Sequence, residues 1–146
     1  AMLAEKNKSS TSLVCASLLH DYGHFILDNP DELVNLQQDG EHEEVGYQYL
    51  KKYFKENVIG PIKNHVKAKR FLARDKKYHQ ILSPASIVSL RLQGGIMNNE
   101  EAKVFQKEKF FNDSIKLRKF DEAAKKTGIK MKDINDYENL LNSHLL

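Results

Sequence analysis

Four of the chain's six histidines, His20, His24, His42 and His65, fall at the ends of expected helices or beside their apolar faces. A neutral imidazole offers a transition metal a nitrogen, and a carboxylate offers a charge-compensating oxygen. A mixed His and Asp set therefore suits iron, manganese or zinc better than calcium. His20 and Asp21 are adjacent, and neighbouring residues at a helix end diverge by about 100°. Such a pair can serve two different metals or leave one side chain bridging two of them. Farther along stands Asp121, with Arg118 one helical turn before it. His79 and His144 have no such setting and read as ordinary histidines.

The elements that must position these residues are helical. Ser9, Ser10, Thr11 and Ser12 offer N-caps to an apolar run, 13–19, that leads directly into His20-Asp21. Asp28-Asn29-Pro30-Asp31 and Gln38-Asp39-Gly40 punctuate a loop-rich link, after which Val45, Tyr49, Leu50, Tyr53 and Phe54 recur at helical spacing. That puts His42 in the first turn of a second helix. Asn57 is read as the cap of a third helix through Val58, Ile62 and His65, with Pro61 in its first turn; His65 and Lys69 then share a face. Ser83-Pro84 starts a helix and Gly94-Gly95 stops it, Asn98 or Asn99 caps another, and Asn112 opens one running to Gly128 that places Arg118 and Asp121 on one face. A last helix carries Tyr137, Leu140, Leu141 and Leu145. The expected fold is all-α, six or seven helices in one bundle.

Composition narrows the function. At 146 residues the chain suits one domain, long enough to bury roughly 70% of the surface its unfolded form exposes. A net charge of +3, from 23 basic and 20 acidic residues interspersed along the chain, does not argue for nucleic acid. Lys63, Lys67, Lys69, Arg70, Lys76 and Lys77 form a local cluster that reads mainly as a solvated face, with the capacity to draw a small anion. The lone Cys15, in an apolar run, points to a core residue and a reducing compartment, and no apolar run is long enough to span a bilayer. The expected location is the cytoplasm.

The string Leu18-Leu19-His20-Asp21-Tyr22-Gly23-His24 looks like the HD motif with its flanking apolar helix. Four further segments sharpen the match: Glu41-His42-Glu43-Glu44-Val45-Gly46, 64–72 with Asn64-His65 at its start, Gln93-Gly94-Gly95-Ile96-Met97, and Leu117-Arg118-Lys119-Phe120-Asp121-Glu122. Together, in order and with similar spacing, they resemble the HD-domain mixed-valence diiron oxygenases that cleave hydroxyphosphonates. The resemblance implies an HD-domain helical bundle, two iron ions, one Fe(II) and one Fe(III), and O2 as co-substrate. It implies His20, Asp21, His42, His65 and Asp121 as metal ligands, with Asp21 bridging, and His24, Lys69, Ser86 and Arg118 as the grip on the phosphonate of a small-molecule substrate. In that family another histidine ligand comes from a helix upstream of the HD pair, and no histidine lies between Ala1 and Lys8. The expected organisation is thus a single HD domain over 1–146 lacking that helix.

Taken without the resemblance, Lys69 is a solvated lysine, Arg118 a surface ion pair, and Ser86 a first-turn hydroxyl bonded to its own backbone. Two other functions stand beside the oxygenase: an HD phosphohydrolase whose metals activate water against a phosphate ester, and a degenerate HD domain serving as an anion-binding scaffold. The residues expected to choose among substituted hydroxyphosphonates lie upstream or in the link from Asp28 to Gly40.

Overall fold

The computed structural model describes residues 1–27 and 41–146. The loop-rich link from Asp28 to Gly40, and the substrate choice assigned to it, lie outside the described residues. The described residues form an all-α fold without strands. Its helices are α1 (Met2–Lys6), α2 (Thr11–Leu19), α3 (Gly23–Ile26), α4 (His42–Leu50), α5 (Glu56–Leu72), α6 (Lys76–Gln80), α7 (Pro84–Leu92), α8 (Asn99–Phe105), α9 (Phe111–Ala123) and α10 (Glu138–Ser143). A 3₁₀ turn, Ile134–Tyr137, precedes α10. The expected six or seven are the longer ones; α1, α3 and α6 are single turns too short to show periodicity. None of the described helices is long and apolar enough to cross a membrane.

The longest helix, α5, is the axis of the bundle, packed against α2, α4 and α9. Its buried residues include Val58, Ile62, His65 and Lys69, spaced three or four apart, so one stripe of the helix carries both core and chemistry. On one side Leu13, Ala16, Leu19, Leu50 and Leu117 close over Val58 and Ile62. Burying each large aliphatic side chain contributes roughly 1.5–3 kcal/mol. On the other, Phe71, Phe105 and Phe111 pack edge to face with centroids 5.0–5.9 Å apart, beside Ala68 and Met97. Cys15 is fully buried in the first of these layers.

Local signals explain most helix ends. Ser10 caps α2 through Leu13 N, and Ser83 caps α7 with Pro84 at its first position. Asn98 and Glu101 close a reciprocal capping box on α8. Gly94 and Gly95 stop the segment after α7 with φ of +96° and +72°, a left-handed turn that side chains disfavour, and the Arg70 guanidinium binds the carbonyl of Gly95 at 2.9 Å.

Three boundaries differ from expectation. Helix α5 starts at Glu56 after Lys55 rather than at Asn57, so Pro61 lies in the second turn and one backbone bond is lost there. The proline is buried, beside Gly60, where an added Cβ would fall 2.2 Å from the Phe110 ring. Helix α9 ends at Ala123, not Gly128; Ile129 and Met131 beyond it are exposed and offer no apolar face to bury by continuing. Leu145 is outside α10, in a bridge with Phe54.

The short α3 crosses α4 closely. A Cβ on Gly23 would lie 1.8 Å from the His42 carbonyl oxygen and 2.9 Å from Gly46 N. Gly23→Ala is therefore expected to lower stability by about 1–3 kcal/mol, read from the urea midpoint, and to disturb the placement of His42.

Candidate metal centre

The end of α2, the short α3, the start of α4, the middle of α5 and the last turn of α9 converge on one point. His20 is the C-cap of α2 and Asp21 follows it, while His42 is the first residue of α4. The residue before it, Glu41, takes a left-handed conformation (φ +49°), which turns the chain into α4 where the histidine is delivered. His65 comes from the buried stripe of α5 and Asp121 from α9.

Two overlapping donor groups result: Asp21 with His42 and His65, and His20 with Asp21 and Asp121. Within each, ligand atoms all lie within 4.8 Å of one another. Asp21 belongs to both. Its Oδ1 is 3.6 Å from His42 Nε2 and 3.8 Å from His65 Nε2, and its Oδ2 is 3.2 Å from His20 Nε2. Asp121 Oδ1 is 3.5 Å from that same His20 nitrogen. The Nε2 atoms of His42 and His65 face each other at 3.0 Å.

Backbone carbonyls set the tautomers. His20 Nδ1 donates to Ser17 O at 3.1 Å and His65 Nδ1 to Ile62 O at 2.6 Å, so both rings turn Nε2 into the centre. Burial, together with repulsion from His65, pushes His42 down to about 3; burial, together with repulsion from His20, pushes His65 down to about 4. Both rings are neutral, the state in which an imidazole can bind a metal. For His20, burial again disfavours the charged form, but the carboxylates of Asp121 and Asp21 reverse it and raise the group to about 10. Two anions there call for a cation, which either a proton or a metal ion on Nε2 supplies. That Nε2 is buried and, among the described residues, makes no hydrogen bond. Asp21, whose side chain is half exposed, is held well below the usual carboxylate range against a partial loss of solvation, chiefly by His20. A nitrogen-and-carboxylate set of this kind, with one buried nitrogen facing two carboxylates, fits transition-metal ions.

His24, with its side chain half exposed, stacks on His42 at 4.0 Å between centroids and brings Nε2 to 4.0 Å from Asp21 Oδ1. Beside the centre lies a second cluster. Arg118, only 4% exposed, is no surface ion pair: it binds the carboxylates of Asp121 and Glu122 and donates Nε to Tyr78 Oη and Nη2 to Ser86 Oγ, each at 3.1 Å. Ser86 is buried and bonded to other side chains. Lys69 is buried as well, donating to Ser89 Oγ at 2.8 Å, unlike its neighbours Lys76 and Lys77, which are exposed. The structure therefore brings Ser86 and Arg118 together directly, while Lys69 reaches Ser89 on the same α7. Glu122, Tyr78 and Ser89 were not foreseen. Glu122 lies four residues after Arg118, so helical spacing alone was a usable signal for it.

The HD domain family matches residues 1–107. This chain is an HD domain. It is 39% identical over 147 residues to hydroxymethylphosphonate dioxygenase of Gimesia maris, covering 99% of this chain and 73% of that protein. It is 37% identical over 134 residues to the 1-hydroxy-2-(trimethylamino)ethylphosphonate dioxygenase (glycine-betaine-forming) of Leisingera caerulea, covering 91% and 68%. A protein of Acanthamoeba polyphaga mimivirus whose name assigns no function is 36% identical, covering 99% and 68%. The HD-domain match stops before Asp121, whereas the Gimesia maris alignment takes in 99% of the chain.

Proposed function

We propose that this HD domain, a single unit over 1–146, is an iron-dependent oxygenase that cleaves the carbon–phosphorus bond of a 1-hydroxyphosphonate with O2. The products are phosphate and a carboxylic acid, and the two atoms of O2 balance the oxygen gained by carbon and phosphorus. The observation that carries the reading is the pair of donor groups sharing Asp21 beside a buried cationic cluster. Two dioxygenases of hydroxyphosphonates among the relatives support the same substrate class.

In this reading His20, Asp21, His42, His65 and Asp121 would hold two irons, Asp21 being the ligand common to both donor groups. The irons, one ferrous and one ferric, supply activation of O2 and the redox chemistry when bound. The chain's own contribution is geometry and charge. The carbonyls of Ser17 and Ile62 fix the rings of His20 and His65. His24, Lys69, Ser86 and Arg118 hold the phosphonate, a nearly dianionic group that needs convergent charged donors. Arg118, bonded to Asp121, ties that grip to the metal ligand one turn away.

Lys69 gives the reading a pH signature. Burial, then Arg118 and Lys125, lowers its ammonium group to about 8. Only the charged form attracts the phosphonate, so the apparent KM is expected to rise as pH climbs through about 8. Lys69→Arg, which stays charged, should remove that limb. A KM profile for both proteins between pH 6.5 and 9.5 checks it.

The reaction type is tested by comparing substrates. The iron-loaded protein is expected to release phosphate from hydroxymethylphosphonate under air and not from a simple phosphate monoester such as p-nitrophenyl phosphate. Cleavage of the ester with the phosphonate untouched would make it a phosphohydrolase.

A further inference from the structure

We infer that Lys125 is a third cation of the anion pocket and binds the phosphonate group directly; this extends the oxygenase reading by one substrate-binding residue. Lys125 lies just past the end of α9, seven residues after Arg118. Its Nζ donates to Ser86 Oγ at 2.6 Å and to Glu122 Oε2 at 3.1 Å.

Hydrogen-bond capacity points to a ligand here. A serine hydroxyl has two acceptor sites. Three donors converge on Ser86 Oγ: Lys125 Nζ, Arg118 Nη2 at 3.1 Å and Ser83 Oγ at 3.1 Å. One is therefore surplus on this oxygen. Glu122, whose side chain is 7% exposed, takes up part of the demand, accepting from Lys125, Arg118, Ser86 Oγ and, at 3.0 Å, Ser83 N. A tetrahedral oxyanion has three or more acceptor oxygens on one atom, and would satisfy Lys125 and Arg118 while Ser86 keeps its bond to Glu122.

Charge gives an independent reason. Arg118 is already paired with Asp121 and Glu122, and Lys125, which shares Glu122, brings a further positive charge beside Ser86. That charge adds to those of Lys69 and Arg118 on the side of the centre where an anion would bind. Its side chain is 38% exposed, so it sits at the mouth of the cluster, where it can swing from Ser86 to an entering ligand.

The test uses inorganic phosphate as probe on the iron-loaded protein, by calorimetry, with the KM and kcat for hydroxymethylphosphonate measured on the same preparations. Lys125→Ala is expected to weaken phosphate binding about tenfold, the loss of one charge-assisted contact. Lys125→Arg should restore it. Lys103→Ala, which removes the same net charge from the exposed pair with Glu100, should leave it unchanged. With turnover, the Lys125→Ala effect falls on KM and spares kcat. Phosphate binding unaltered in Lys125→Ala, or absent in the wild type, overturns the inference. Phosphate bound in the expected order without oxygen-dependent turnover sustains the inference and overturns the oxygenase reading.

Discussion

Arg118→Ala is expected to destabilise the fold by about 3–5 kcal/mol, the cost of breaking a buried ion pair by removing one partner. The guanidinium lies between α9 and α7, binding Asp121, Glu122, Tyr78 and Ser86, and its side chain is 4% exposed. Removing it leaves two inward-facing carboxylates beside each other, with Lys125 the one cation still paired to Glu122. Arg118→Lys keeps the charge but cannot fork between two carboxylates and two hydroxyls, so a smaller loss is expected. Urea unfolding of the three proteins checks this order. A loss below about 1 kcal/mol for alanine, the range of exposed pairs, would mean that the cluster is solvated and the buried grip on the phosphonate is wrong.

The metal ligands divide into two overlapping sets of three, and the division can be counted. Asp21 belongs to both donor groups, whereas His42 and His65 belong to one and His20 and Asp121 to the other. Asp21→Ala is expected to leave the protein almost free of iron. His65→Ala should empty one position, leaving about half the wild-type iron, and His20→Ala the other. His79→Ala, on α6 and outside both groups, should leave iron content at the wild-type level. Iron per chain with far-ultraviolet circular dichroism on the same samples separates loss of ligand from loss of fold. Equal iron in wild type, Asp21→Ala and His65→Ala would contradict the ligand set.

Much of this was legible from the chain alone, and the reasons are local. Ser10, Ser83-Pro84 and Asn98 announce helix starts because a cap is short-range chemistry, and His42 could be placed at the start of α4 from the apolar repeat after it. The gathering of His20, Asp21, His42, His65 and Asp121 was legible only through motif resemblance, since four elements must meet and no spacing rule states that they do. What escaped is long-range. The partners of Arg118 on α6 and α7, Tyr78 and Ser86, are set by how those helices dock, and so is the clash that forces glycine at Gly23. The late position of Pro61 escaped because the start of α5 depends on Lys55, whose amide donates to the carbonyl of the distant His144. Lys69 sits in a run of lysines that composition assigns to solvent. Only its place on the buried stripe of α5 sets it apart from Lys76 and Lys77.

The central claim meets its most direct test in phosphate release from hydroxymethylphosphonate by the iron-loaded protein, followed in parallel under air and under argon. The account predicts release under air, matched by consumption of O2 in equal amount, and none under argon beyond the residual oxygen. Release at the same rate in both atmospheres, or no release from protein carrying its iron, would contradict it.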